Sequence, residues 1–305
     1  MIRELRRGDC EAVAQLVLEL IPHQVVTAET VWQHATRRIE RERLRTWVAE
    51  TDGEIAGFAF AGFEWSVPTR GKGRFWLGVR PEHRGRGLGG DLYEEVTKHL
   101  GDAWRLRSWV DGDPAGERFL ERRGFEPGAV DKVSALELAG AKLPEPTVPA
   151  GFRLVPLREA RDRELDLHEI CAAGEVDLHR NEPETELSLE DWRQDDYGSP
   201  ALSDDGSFVA LEGERAVALA FLIVDPRRRV AYNQMTATLP SHRRRGLALA
   251  VKLAAARWAG ERGYERIVTE NDDWNAGMLA INDRLGYRPL YDQLSFVLER
   301  ERPPM

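Results

Sequence analysis

The chain has 305 residues, enough for two domains of ordinary size, and its composition is that of a folded globular protein. A formal net charge of −9 argues against nucleic acid or an anionic membrane as partner and favours cationic small molecules as substrates. Cys10 and Cys171 form no CxxC pair, no apolar run approaches the ~18–20 residues of a membrane span, and "MIRELRRGDC" lacks the apolar core of a signal peptide. The expectation is a cytoplasmic protein with buried thiols and no metal.

A short strand over 2–7 precedes a helix that begins after the N-cap candidate Asp9. The spacing of Val31, Ala35 and Ile39 predicts an amphipathic helix from Thr30 to about Arg43. "RTWVAET" and "EIAGFAFAGFEW" read as strands around the turn "TDGE". "GRFWLGV" is a third strand that leads into "HRGRGLGG" (83–90). A helix over 88–100, the strand "AWRLRSWV", a helix over 114–123 and a strand pair ending at "VSALELA" complete the first half. "AGAKLPEPTVPAG" (139–151) holds Pro144, Pro146 and Pro149 and reads as a linker. This places domains at 1–145 and 146–305. The second half offers a hairpin around Gly213, the strand "RVAYNQMTAT", a helix over 247–262, the strand "ERIVTEN", a helix over 275–285 and the strand "QLSFVLE". This order predicts the α/β (α+β) class, each half a mixed, mostly antiparallel sheet flanked by helices.

The halves repeat each other. "VRPEHRGRGLGGDLYEEV" (79–96) aligns with "TLPSHRRRGLALAVKLAA" (238–255), and "FLERRGFEP" (119–127) with "INDRLGYRP" (281–289). The repeat resolves an ambiguity. Gly85, Gly87 and Gly90 spell G-x-G-x-x-G, a dinucleotide fingerprint, with Asp111 near the distance that fold requires. The second copy loses that pattern but keeps R-x-x-G-x-[G/A] as Arg243, Gly246 and Ala248, matching Arg84, Gly87 and Gly89. Small residues at a strand–helix turn let backbone N–H groups and the helix dipole face a diphosphate. Gly85 and Gly90 are thus expected to be dispensable to the shared design.

On these residues both halves resemble the GNAT family of N-acetyltransferases. The tandem arrangement resembles the mycothiol synthase-like tandem GNAT proteins of actinobacteria. The resemblance implies acetyl-CoA as cosubstrate, bound in a V-shaped splay between two central strands of each domain. It implies that Leu77 and Val79, or Thr236 and Thr238, hold the pantetheine arm. The turns would hold the pyrophosphate, through Arg84, Gly85, Arg86, Gly87, Leu88 and Gly89, or Arg243, Arg244, Arg245, Gly246, Leu247 and Ala248. Asn275 matches the family asparagine that contacts the pantetheine arm, and its first-half counterpart is Asp113.

The family's acid, a tyrosine, is replaced by Leu120 and Asn282. Glu64 and Glu270 are the candidate bases, and strand alternation points Glu270 and Asp272 away from Asn271. Glu175 and Asp177, with Glu182, Glu184 and Glu186, make an acidic rim suited to a cationic amine, whereas the matching first-half region is more basic. The expectation is an acetyltransferase for a primary amine of a small molecule. The carboxyl-terminal half is expected to be catalytic and the amino-terminal half degenerate or cofactor-binding. The alternative is a non-catalytic acetyl-CoA sensor or scaffold. The chain is expected to be a monomer with an internal pseudo-dimer, or a homodimer.

Overall fold

The computed structural model describes residues 1–178 and 187–302. In chain order the elements are β1 (Ile2–Glu4), α1 (Cys10–Leu20), α2 (Ala28–Thr36), β2 (Arg45–Thr51), β3 (Glu54–Phe63), β4 (Lys72–Val79), α3 (Leu88–His99), β5 (Arg105–Asp111), α4 (Pro114–Glu121) and β6 (Glu126–Glu137). They continue as β7 (Phe152–Pro156), α5 (Glu164–Leu178), α6 (Leu189–Gln194), β8 (Phe208–Glu212), β9 (Arg215–Asp225), β10 (Val230–Thr238), α7 (Leu247–Glu261), β11 (Arg266–Asp272), α8 (Ala276–Leu285) and β12 (Arg288–Glu299).

Most of the expected elements form where the pattern places them. Two differ for a physical reason. α2 is capped by Thr27, whose side chain accepts from Thr30 N, and it ends at Thr36, short of Arg43. The chain turns out at Arg37, whose guanidinium pairs with Glu42 five residues ahead, Nη2 2.6 Å from Oε1. Ile39 is still buried, but outside the helix. Asp9 sits at the start of α1 without capping it, since its carboxylate is bonded to Arg3 and to the N–H of Arg6.

The chain forms two compact units, Met1–Asp131 with Tyr291–Met305, and Lys132–Leu290. This division differs from the linear cut expected at 145/146. The proline-bearing stretch does connect without regular structure, but the closing strands of the two halves, β6 and β12, are exchanged. In the first unit the sheet order is β1-β2-β3-β4-β5-β12, with β12 antiparallel to β5 from Gln293↔Asp111 to Glu299↔Arg105. In the second it is β6-β11-β10-β9-β8-β7.

Helices cover both faces of each sheet. In the first unit Leu88, Leu92 and Val96 of α3 and Leu120 of α4 pack with Phe75, Leu106 and Val110. On the other face Val13 and Leu16 of α1 and Val31 of α2 pack with Val48, Phe58 and Trp76. In the second unit Leu253, Ala256 and Ala259 of α7 and Leu285 of α8 pack with Leu222, Ala231 and Ile267, while α5 covers the other side of β9 and β10. Cys10 and Cys171 are free and buried.

Candidate functional site

Each unit opens its sheet between its two parallel strands. β4 and β5 pair only at Lys72↔Arg105, Gly73↔Leu106 and Arg74↔Arg107, although β4 runs on to Val79 and β5 to Asp111. β10 and β11 pair only at Val230↔Arg266, Ala231↔Ile267 and Tyr232↔Val268, while β10 runs on to Thr238 and β11 to Asp272. Past those rungs the ladder stops and the strands diverge.

The second splay is wedged by a bulge that the first lacks. The register of β10 against β9 shifts between Asn233 and Met235, whereas β4 pairs with β3 without a shift. A bulge bends its strand and frees backbone groups from the ladder. Here Asn233 Nδ2 donates to Phe221 O (3.0 Å) and Met235 O (3.1 Å), and Thr269 Oγ1 donates across to Asn233 O (3.3 Å). The bulged Gln234 donates to Asp196 Oδ1 at 2.5 Å.

Both strands then enter the same turn, a single 3-10 turn over Pro81–His83 or Pro240–His242. Arg84 Nε donates to Val79 O (3.0 Å), and Arg243 Nε to Thr238 O (3.2 Å). The motif arginine is thus a clasp on the end of the preceding strand as well as a charge. Gly87 (φ 91°) and Gly246 (φ 84°) are the left-handed N-caps of α3 and α7. Position 85 was expected to be dispensable, but Gly85 has φ 77° and its counterpart Arg244 has φ 60°. Both copies need the left-handed conformation there, and the second copy holds it with an arginine at a cost of ~1–2 kcal/mol. Gly89 has a packing reason, because a Cβ there would meet Phe119 Cε2 at 3.3 Å. The first N–H groups of α3 (Leu88, Gly89) and α7 (Leu247, Ala248) have no intrahelical acceptor and lie at the positive end of the helix dipole.

Asn275 and Asp113 both cap the next helix, with Asn275 Oδ1 accepting from Met278 N (3.1 Å) and Asp113 Oδ1 from Ala115 N (3.0 Å). Asp113 Oδ2 also lies 2.9 Å from Arg84 Nη2, so a carboxylate stands against the first turn where the second has a neutral amide. Asn282, at the position of the missing tyrosine, is 4% exposed and donates from Nδ2 to Asn271 Oδ1 at 2.6 Å. Its Oδ1 and Thr238 Oγ1 are buried with no hydrogen-bond partner among the described residues. Leu120 is buried in apolar core. Tyr287 lies in the core cluster of the second unit, and burial pushes its hydroxyl pKa well up.

Ile267 packs against α7 and Asn271 bonds to α8. Alternation therefore puts the half-buried Glu270 and Asp272 on the opposite face, the one α5 covers. α5 approaches β10 closely there, since a Cβ on Gly174 would meet Ala237 Cβ at 3.1 Å and Met235 Sδ at 3.3 Å. Glu175 is the next residue and is half-buried. Asp177 lies on α5, but its side chain is outside the described residues, as are Glu182, Glu184 and Glu186. Glu64 lies 3.4 Å from Arg107 Nε.

Sequence reasoning missed Lys252. It sits in α7, 3% exposed, with Nζ 5.1 Å from the centre of the Tyr287 ring and 4.0 Å from Met278 Sδ. Burial pulls its pKa down to about 7. The available signal was a lone charge inside the apolar run "ALAVKLAAA".

The comparisons agree with this geometry. A family model described as "Acetyltransferase (GNAT) domain" matches residues 42–127, and one described as "Acetyltransferase (GNAT) family" matches residues 168–287. A mycothiol acetyltransferase from Saccharomonospora viridis is 28% identical over 228 residues, 72% of each chain. One from Streptomyces coelicolor is 25% identical over 94% of this chain and 90% of its own. A solved tandem GNAT protein from the clavulanic acid biosynthesis pathway superposes with a TM-score of 0.73 at 20% identity, covering 100% of this chain and 99% of its own. A GNAT structure from Sphaerobacter thermophilus gives 0.66 at 19% identity, over 98% and 95%. The chain belongs to the GNAT acetyltransferase family and carries two such domains in tandem.

Proposed function

We propose that the carboxyl-terminal unit transfers the acetyl group of acetyl-CoA to a primary amine of a small molecule, while the amino-terminal unit keeps a cofactor-binding turn. The observation that carries this reading is the second splay. It combines a bulge at Gln234, two buried polar atoms without partners among the described residues (Thr238 Oγ1 and Asn282 Oδ1), and the open N-terminus of α7. Buried polar atoms of this kind are uncommon in the absence of a ligand, so the residues present fit a polar cosubstrate.

The N–H groups of Gly246, Leu247 and Ala248 would hold the pyrophosphate, helped by Arg244 and Arg245. Thr236, Thr238 and Asn275 would line the arm. When bound, the cosubstrate supplies a thioester carbonyl open to an amine. Backbone N–H groups freed at the bulge polarise that carbonyl, and Glu270, on the α5 side, takes the amine proton. Glu175, half-buried on α5, attracts the cationic acceptor.

The test is Gly246→Glu and Gly87→Glu made separately, each checked for folding by circular dichroism. Loss of thiol release from acetyl-CoA with small amines that carry no carboxylate is expected for Gly246→Glu. The reading fails if Gly87→Glu alone abolishes it. Leu120 and Asn282, which cannot donate as a phenol does, favour a second reading, a CoA-binding sensor without turnover. That reading predicts calorimetric binding of acetyl-CoA with no acetylated product from any amine.

A further inference from the structure

The amino-terminal unit holds buried polar side chains that this reading leaves unused. Along β5, Leu106 and Val110 join the core under α3, whereas Trp109 packs with α1 and α2. Asp111 shares Trp109's face. It ends the strand, well past the last rung with β4, at the open end of the splay. Its Oδ1 accepts from Gln293 Nε2 (2.8 Å) and from the Tyr291 hydroxyl (3.2 Å). That hydroxyl lies 2.8–2.9 Å from the ring nitrogens of His23, which is 4% exposed just beyond α1. Tyr291 and Gln293 come from β12, the strand exchanged into this unit.

Two distant segments, β12 and the stretch beyond α1, therefore orient one carboxylate. Its other oxygen, Oδ2, is buried with no hydrogen-bond partner among the described residues. A purely structural carboxylate would have both oxygens satisfied.

The same face has a cationic floor. Arg74 and Arg107 are paired across the last rung before the strands diverge. Glu42, fully buried, binds Arg37 and Arg74 at 2.6 Å each, and Glu64 lies 3.4 Å from Arg107. Three guanidiniums face two carboxylates, and the Nε groups of Arg74 and Arg107 are buried without a hydrogen bond among the described residues. Four residue-to-residue steps of strand carry the chain from Arg107 to Asp111, ~13 Å.

We propose that the amino-terminal unit is a second acyl-transfer site, in which Asp111 takes the proton of a primary amine whose own carboxylate is held by Arg74 and Arg107. This rests on the reading of turn 84–89 as an acetyl-CoA site. The amine enters as an ammonium and gives one proton to Asp111 Oδ2. Its freed lone pair forms the C–N bond at the thioester carbonyl. The C–S bond breaks with its electron pair on sulfur, and the second nitrogen proton neutralises the thiolate. Asp111 then releases its proton to water. Gln293, Tyr291 and His23 are positioning residues.

The full chain carrying Ala248→Glu, which blocks the second turn by charge, isolates the site. Calorimetry is expected to find one bound equivalent of acetyl-CoA. Thiol release is measured with unbranched ω-amino carboxylates, oligoglycines and their amides. Carboxylates are expected to be acetylated at least tenfold better in kcat/KM than their amides, and Arg107→Gln to remove that preference through KM. Adding the isosteric Asp111→Asn is expected to lower kcat/KM about 100-fold or more with acetyl-CoA binding unchanged. Gln293→Leu is expected to move the acidic limb of kcat/KM to higher pH, because it removes a bond that favours the charged carboxylate; loss of packing alone would leave that limb in place. If one equivalent binds yet no carboxylate is acetylated, or Asp111→Asn has no effect, the proposal is overturned. If no acetyl-CoA binds, the reading of turn 84–89 fails and takes the proposal with it, and the carboxyl-terminal reading stands apart from either result.

Discussion

Lys252 offers a stability prediction whose sign and size follow from its surroundings. Its ammonium is enclosed by the Tyr287 ring and Met278 Sδ, with no carboxylate bonded to it among the described residues. Burial lowers its pKa from 10.5 to about 7. In the unfolded chain the lysine keeps its proton up to about pH 10.5, and in the fold it gives the proton up near pH 7. Between those values the unfolded state binds the extra proton, so stability rises with pH by about 1.4 kcal/mol per unit. Held at pH 7, the lysine therefore costs the fold about 4 kcal/mol relative to its state above pH 10.5. Lys252→Met keeps the length of the side chain, suits the ring and thioether around it, and removes the charge. Urea denaturation followed by circular dichroism is expected to show the variant several kcal/mol more stable at pH 7. The advantage should shrink steadily toward pH 10. A variant no more stable at pH 7, or an advantage that does not change with pH, would refute the reasoning.

Glu42→Ala leaves Arg37 and Arg74 facing each other without their buried carboxylate, and is expected to cost about 3–5 kcal/mol by thermal unfolding. Burial alone would raise the Glu42 carboxyl, but the two guanidiniums more than reverse it, so its pKa is lowered. Its contribution is present at neutral pH and lost as pH falls below the ordinary glutamate range, so the deficit of the variant should narrow in acid. Arg244→Gly relieves the left-handed backbone at φ 60° and is expected to raise stability by about 1 kcal/mol, read as a higher Tm. Asn275→Ala removes the cap on Met278 N and should cost about 1 kcal/mol, whereas Asn275→Asp, which can still accept that bond, should cost less.

The local parts of this protein were legible in its residues alone. The repeat of R-x-x-G-x-[G/A] located both strand–helix turns, because a left-handed glycine at a helix N-terminus is a property of a few neighbouring residues. Apolar alternation located the hairpin around Gly213 and the strands that splay. The loss of the tyrosine at Leu120 and Asn282 was equally plain. Tertiary structure alone decided what these parts meet. The exchange of β6 and β12 left no mark on the proline-rich stretch that suggested a linear boundary. The role of Arg84 and Arg243 as clasps, the burial of Lys252 and the pinning of Glu42 depend on neighbours far away in sequence. The meeting of His23 with Tyr291, 268 residues apart, is the extreme case. A period of two or 3.6 residues says which face of an element will be buried. It does not say against which partner, because that choice is made by the summed packing and hydrogen bonding of strands brought together only when the whole chain folds.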